Sequence, residues 1–294
     1  MLNRVIRRLR SDARRIPSYR ALRRGSRATW QAAAGDAIAL YWYDGTPNFG
    51  DALSPLLAAR LSGKPVVSFR DVWHLPGVPI YSSIGSILQR EVTPRVVVWG
   101  SGVMTNESSV LRAPAAVRAV RGPLTREVLL RQGIACPAVY GDPALLVTRF
   151  WPSTEPSDDI VVVPHFFDRE LPAVTELAGR LGGRIVDVSE DVDDVIGAIS
   201  AARAVVSSSL HGLIVAAAYR KPAVWVEFSR NIPGDGFKFR DFFLSIGSSG
   251  MLPVIVKSGA DAQRVADAVS VMPLNIDLDR LLAACPFGSA GYTH

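Results

Sequence analysis

Ser207-Ser208-Ser209-Leu210-His211-Gly212-Leu213-Ile214-Val215-Ala216-Ala217-Ala218-Tyr219-Arg220-Lys221-Pro222-Ala223-Val224 is the stretch on which the reading of this chain turns. Just before it, Ala204-Val205-Val206 is a short apolar run of the kind that forms a buried parallel strand. After the polar serines, Leu213 to Tyr219 is an Ala-rich helix former that stops at Lys221-Pro222. His211 and Gly212 therefore open a helix immediately outside the carboxyl end of a strand. In open α/β sheets ligands bind at that position, and the free N–H groups of a first helical turn favour an anion there. A histidine that merely caps a core helix is the competing reading.

Working outward, the downstream half keeps a regular rhythm. Ile160–Val163 reads as a strand, Ala173–Leu181 as a helix, Arg184–Val188 as a strand, and Val192–Arg203 as a helix. Strand Ala204–Ser207, helix Gly212–Arg220 and strand Ala223–Glu227 follow. Strands alternating with helices imply right-handed crossovers and a parallel sheet covered on both faces. Two further helices are expected over Ala260–Val271 and Leu278–Ala284, packing back on either half.

Upstream, Ile38–Tyr43 reads as a strand, followed by the turn-rich loop Asp44-Gly45-Thr46-Pro47-Asn48-Phe49-Gly50-Asp51 and a helix over Ala52–Leu61. Val66–Phe69, Ile80–Ile84, Val96–Trp99 and Ala116–Val120 read as strands, and Pro123–Gln132 as a helix with proline in its first turn. Arg149–Asp159, polar and with two prolines, reads as the linker. The expected fold class is α/β: two Rossmann-like domains at 32–150 and 151–294, their parallel sheets facing a cleft as in GT-B glycosyltransferases, preceded by a basic arm at 1–31.

At 294 residues and 48% hydrophobic, the chain is long enough for two cores. No apolar run reaches the roughly 18 residues that would cross a bilayer, and the first residues lack the apolar core of a secretory signal, so cytoplasmic residence is expected. Cys136 and Cys285 have no partner spacing for a disulfide framework or a zinc site, and no metal is expected.

The net charge of +6 is concentrated at one end: residues 1–31 hold ten arginines and one acid, Asp12, and the body beyond them is slightly acidic. Leu2, Val5, Ile6, Leu9, Ala13 and Ile16 recur at helical spacing among those arginines until Pro17. Such a helix can lie on the anionic inner face of the cytoplasmic membrane. A nucleic-acid arm, a transit peptide and a solvated tail compete with that reading. The slightly acidic body offers no basic groove, and no nucleic-acid partner is expected.

Several residues at strand ends could carry chemistry. Asp51 could take a proton from a hydroxyl that Asn48 orients, with Gly50 between them, although Asn and Asp also serve as plain turn and cap residues. Gly100-Ser101-Gly102 lets backbone approach a ligand closely. Arg121, between a strand and a Pro-started helix, could grip a carboxylate or phosphate at two points. Asp142 in Gly-Asp-Pro and His165 in Pro-His-Phe-Phe also fall at strand ends, and Lys238 and Arg240 add cations. Together these line a cleft suited to a small polyanion.

The order Asn48-Phe49-Gly50-Asp51, Gly100-Ser101-Gly102, Arg121 followed by Thr125, Asp142-Pro143-Ala144, and Ser209-Leu210-His211-Gly212 resembles the polysaccharide pyruvyl transferase family, from about Ala39 to about Gly247. That resemblance implies a GT-B-like fold, phosphoenolpyruvate as donor, no cofactor, and a sugar of a bacterial surface polysaccharide, on a lipid-linked precursor, as acceptor of a cyclic pyruvate ketal. Arg121 and His211 would bind the donor with the backbone at Leu210, flanked by Ser209 and Gly212. His211 would be the acid and Asp51 the base. Asn48, Gly50, Gly100, Ser101, Gly102, Asp142 and His165 would face the acceptor. Many members have Arg-Leu-His where this chain has Ser209-Leu210-His211, so Lys238 or Arg240 would have to compensate. Two other readings stand beside it: a nucleotide-sugar glycosyltransferase with Glu227 on the ribose, and a non-catalytic membrane-peripheral scaffold.

Overall fold

The computed structural model describes residues 27, 29–89 and 94–287. The basic arm read at 1–31 therefore lies almost wholly outside the described residues.

Two parallel sheets organise the chain. In the first, β1 (Ile38–Tyr41), β2 (Val66–Ser68), β3 (Ile80–Ser82), β4 (Val96–Trp99) and β5 (Ala116–Ala119) lie in the order β2-β1-β3-β4-β5. Helices α1 (Phe49–Ser62), α2 (Phe69–Val72) and α3 (Pro123–Arg131) connect or follow them. In the second, β6 (Ile160–Val163), β7 (Arg184–Ile185), β8 (Ala204–Ser207), β9 (Pro222–Glu227) and β10 (Val254–Ile255) lie in the order β10-β9-β8-β6-β7. Its helices are α4 (Pro172–Leu181), α5 (Val192–Ala201), α6 (Leu210–Ala218) and α7 (Phe237–Ser245). A short β11 (Ser270–Val271) pairs antiparallel with the start of β9. The α/β class with parallel sheets is as expected.

Residue chemistry accounts for the central layers. β4 and β6 are runs of valine buried on both faces, as strands under helical crossovers must be. α6 is apolar all round, and every residue from Leu210 to Ala217 is buried. It packs on β9 and on a 3₁₀ helix, Pro143–Arg149, that joins the halves. One continuous core therefore runs from Leu40, Leu53 and Leu57 of the first half through Leu145 to Leu213 and Ile214 of the second. The Phe49 N–H donates to the Val188 carbonyl across this seam at 2.6 Å.

Several element boundaries differ from the sequence reading. α1 begins at Phe49, because Asn48 caps it by accepting from the Gly50 N–H, which puts Asp51 in its first turn. α6 begins at Leu210, one turn position before His211 rather than after it. The segment read as one helix over Ala260–Val271 is a 3₁₀ turn, helix α8 (Ala262–Ala268) and strand β11. Aromatic-rich α7 had no helical periodicity to announce it. α9 (Leu278–Ala283) crosses back to the first half, where the Trp99 indole N–H donates to the Leu281 carbonyl at 2.8 Å and Phe287 packs edge-on against Tyr81 and Trp99.

Candidate functional site

The carboxyl ends of both sheets open on one cavity of about 160 Å³. The first half contributes Tyr43, Asn48, Asp51, Ser86 and Met104. The second contributes His165, Phe167, Ser209, His211 and Lys238. The serine-rich turn after β8 and the Asn-Phe-Gly-Asp turn after β1 thus meet face to face, as their strand-end positions require.

His211 is buried at the start of α6. Its Nε2 is buried and has no hydrogen-bond partner among the described residues, and its ring sits edge-on to Phe49 at 6.2 Å between centroids. A β-carbon placed on Gly50 would lie 1.9 Å from His211 Nδ1, so the glycine makes room for the imidazole. Burial, then the positive charges of Lys238 and Arg121, push the His211 pKa down to about 3, which keeps the ring neutral. An orphaned buried nitrogen of this kind costs free energy unless a ligand satisfies it.

His165 is likewise held down, to about 3, by burial and then by Lys238 and His211. Its Nδ1 accepts from the Phe167 N–H at 3.3 Å, which leaves Nε2 as the position for the proton of the neutral ring. Its own N–H donates to Ser208 Oγ at 2.8 Å, and that hydroxyl donates to the buried Asp168 at 3.0 Å. Ser229 also donates to Asp168, tying the loop after β9 to the loop after β6.

Lys238, from the first turn of α7, is buried and lines the cavity. Burial and then Arg121 lower its pKa to about 8, against the opposing pull of Asp51 and Asp168. Asp51 Oδ2 accepts from the Asn48 side-chain amide at 3.0 Å, so Asn48 both caps α1 and orients the carboxylate.

Arg121 lies behind the cavity wall. Only 1% exposed, it donates through Nε to Asp241 at 3.0 Å, to the Val103 carbonyl at 2.8 Å, and to Ser86 Oγ. Asp241 also accepts from the Thr125 N–H and hydroxyl at 2.9 and 2.7 Å. This buried pair joins α7 to the first half, and Ser86 carries the guanidinium's influence to the cavity surface. A β-carbon on Gly102 would lie 2.4 Å from the guanidinium carbon, which explains the glycine in Gly100-Ser101-Gly102.

The remaining candidates divide plainly. Ser209 and Leu210 line the cavity, and Gly212 sits behind it against Ser207. Ser101 is buried and pairs with Ser82 at 2.7 Å, while Gly100 lies against Pro143. Asp142 is fully buried beneath the sheet, where its Oδ1 accepts from the Ala144 N–H at 3.0 Å and caps the 3₁₀ helix. Burial raises its pKa to about 7. Arg240 points outward and donates to the Asp235 carbonyl at 2.7 Å. Ser86, Met104, Tyr43, Phe166, Phe167 and Pro233 line the cavity without having been singled out from sequence. Ile84-Gly85-Ser86 repeats the strand-Gly-Ser pattern of Trp99-Gly100-Ser101 and could have been found by it.

Chemically, the cavity offers one ammonium, two neutral imidazoles and one oriented carboxylate in a small, mostly apolar space. It suits a compact anion next to a hydroxyl that must lose a proton.

A family model described as polysaccharide pyruvyl transferase matches residues 71–230. Over 215 residues the chain is 28% identical to the succinoglycan biosynthesis protein ExoV of Rhizobium meliloti (strain 1021), covering 70% of this chain and 64% of that relative's length. It is also 24% identical over 221 residues to an uncharacterized protein of Acanthamoeba polyphaga mimivirus, covering 71% of this chain and 75% of the relative.

Proposed function

The chain belongs to the polysaccharide pyruvyl transferase family, and from that premise we propose that it transfers pyruvate from phosphoenolpyruvate to a sugar of a bacterial exopolysaccharide, as a cyclic ketal, on a lipid-linked precursor. The observation that carries this reading is the small cavity in which the buried, unpartnered His211 Nε2 and the ammonium of Lys238 converge. A cavity of about 150 Å³ holds a benzene-sized molecule, whereas larger ligands occupy pockets of about 300–1,000 Å³. At about 160 Å³ the space is large enough for a three-carbon acid phosphate.

In this reading Lys238 stands in for the guanidinium that Ser209 replaces, and neutralises donor charge together with the N–H groups that open α6. The donor's negative charge raises the His211 pKa, and the imidazolium then protonates the methylene carbon. An acceptor hydroxyl adds to C2 and gives its proton to Asp51. The C2–O bond to phosphorus breaks as phosphate leaves, and a second hydroxyl of the same sugar closes the ketal, its proton going to phosphate. Asp51 returns its proton to His211 by way of solvent, so that of the two hydroxyl protons one ends, in net, on carbon and the other on phosphate. A membrane-surface role for residues 1–31 fits a lipid-linked acceptor and is part of the same proposal, as is a GT-B-like pairing of domains at 32–150 and 151–294.

Phosphate release from phosphoenolpyruvate by the purified protein, with and without glycoside acceptors, tests this. Acceptor-dependent release that is lost in His211→Ala supports it. Acceptor-independent silence, together with thermal stabilisation by nucleoside diphosphates but not by phosphoenolpyruvate, would shift the reading to a nucleotide-sugar transferase.

A further inference from the structure

Three consecutive rings follow β6, and their exposure rises along the chain. His165 is 7% exposed, Phe166 is half-buried and Phe167 is 47% exposed, and all three line the cavity. The His165 and Phe166 centroids are 4.4 Å apart with planes tilted by 30°, Phe166 and Phe167 are 4.2 Å apart with planes tilted by 46°, and His165 and Phe167 are 5.3 Å apart, so the three rings close into one cluster. The backbone that carries the cluster is held by hydrogen bonds. The Phe167 N–H is held by His165 Nδ1 and the His165 N–H by Ser208 Oγ. Tyr43 brings a fourth ring to the same cavity from the other half.

A single exposed phenylalanine needs no explanation on a protein surface. One that belongs to a preorganised aromatic cluster, lines the cavity and stays 47% exposed does, because a group entering the cavity can pack on its ring. On the proposed function, which this inference rests on, the entering group is a sugar that must present two hydroxyls to the donor carbon. A pyranose turns its hydroxyls outward around its rim and presents axial C–H bonds on its face. Those partly positive hydrogens complement the negative face of an aromatic ring.

We propose that Phe167, with Phe166 and Tyr43, forms the acceptor subsite, on which one hexopyranose ring stacks so that its hydroxyl pair is carried toward Asp51. Preorganisation of the cluster lowers the ordering cost of that encounter.

The test uses the full chain with Phe167→Ala, Phe167→Leu and Phe167→Trp. With phosphoenolpyruvate saturating, Phe167→Ala and Phe167→Leu raise the acceptor KM about three- to tenfold, and Phe167→Trp keeps it within about twofold. The donor KM stays within about twofold in all three. Independently of turnover, saturation-transfer NMR with the methyl β-glycosides of glucose, galactose and mannose gives transfer to ring C–H protons in the wild type, lost in Phe167→Ala. An unchanged acceptor KM in Phe167→Ala overturns the subsite, as does a leucine that serves as well as phenylalanine or saturation transfer confined to uridine diphosphate. Glycoside stacking without turnover in the wild type leaves the subsite standing and removes the pyruvyl-transfer reading. Neither signal in the wild type removes both.

Discussion

The imidazole of His211 occupies the space in which a side chain at position 50 would stand: a β-carbon on Gly50 falls 1.9 Å from Nδ1. Gly50 belongs to the first turn of α1 in one half, and His211 to the first turn of α6 in the other. Two turns, 161 positions apart by their numbers, thus fit by omission of a methyl group. Alanine is a better helix former than glycine by about 1 kcal/mol, so Gly50→Ala favours α1 locally while displacing the ring. The variant is expected to keep its far-ultraviolet circular dichroism and lose most of its phosphoenolpyruvate-dependent activity. Retained activity would separate His211 from the chemistry.

On the proposed function, Lys238 should set the pH range of donor binding. Its pKa is lowered to about 8, so the ammonium is lost as pH rises through that value. The KM for phosphoenolpyruvate should rise between pH 7 and 9. Lys238→Arg should push that rise above pH 9, because a guanidinium stays charged. Lys238→Met should raise the KM at pH 7 about ten- to a hundredfold, the range for a lost hydrogen bond to a charged group. A flat pH profile in the wild type would remove Lys238 from the donor site.

The buried pair Arg121 and Asp241 holds the halves together. Asp241→Ala leaves the guanidinium buried without its carboxylate, and breaking a buried pair in this way costs about 3–5 kcal/mol. Thermal or urea denaturation should show a loss of that order. Arg121→Met with Asp241→Leu, which removes both charges, should recover a large part of it. A loss below about 1 kcal/mol for Asp241→Ala would mean that water reaches the pair and weakens it.

Acid and base act on the fold with opposite signs. His165 and His211 have native pKa values near 3 against an ordinary value of 6.5, so the unfolded chain binds more protons as pH falls below 6.5. Stability is then lost toward pH 3, by up to about 1.4 kcal/mol per pH unit for each ring. Asp142 works the other way. Its native pKa near 7, against 3.8, means that the folded protein holds a proton the unfolded chain has released. Stability falls as pH rises from about 4 to 7, and the deficit persists above that. Urea titrations from pH 4 to 9 should show His211→Gln flattening the acid limb and Asp142→Asn flattening the rise in stability loss between pH 4 and 7. Unchanged slopes in both variants would contradict the assignments.

The strands were readable because their valine runs are buried on both faces and end in Gly, Ser or Asp turns, as at Val96–Gly100 and Ala204–Ser209. Strand ends in turn located His211, Asp51, Asn48 and His165. Arg121 was legible as a cation that could grip a carboxylate or phosphate but not as one committed to Asp241, because that partner lies 120 positions away on α7, a helix of four phenylalanines and charged residues with no apolar stripe. The same blindness hid which of Lys238 and Arg240 faces inward. Two positions apart, they project on different sides of one helical turn, and only packing decides the side. Asp142 caps a 3₁₀ helix and is not among the cavity-lining residues, a placement the sequence did not reveal because such a cap and a residue at a ligand-facing strand end look alike.

The most direct test of the whole account follows the donor carbon. Incubating the protein with [2-¹³C]phosphoenolpyruvate and a panel of lipid-linked and aryl-glycoside acceptors, then recording ¹³C NMR and mass spectra of the sugar product, reports where C2 goes. The account predicts the label on the acceptor as a quaternary ketal carbon bearing a methyl and a carboxylate, with one phosphate released per sugar modified and none in His211→Ala. Label remaining entirely in phosphoenolpyruvate, while the same acceptors are extended from a nucleotide sugar, would contradict it.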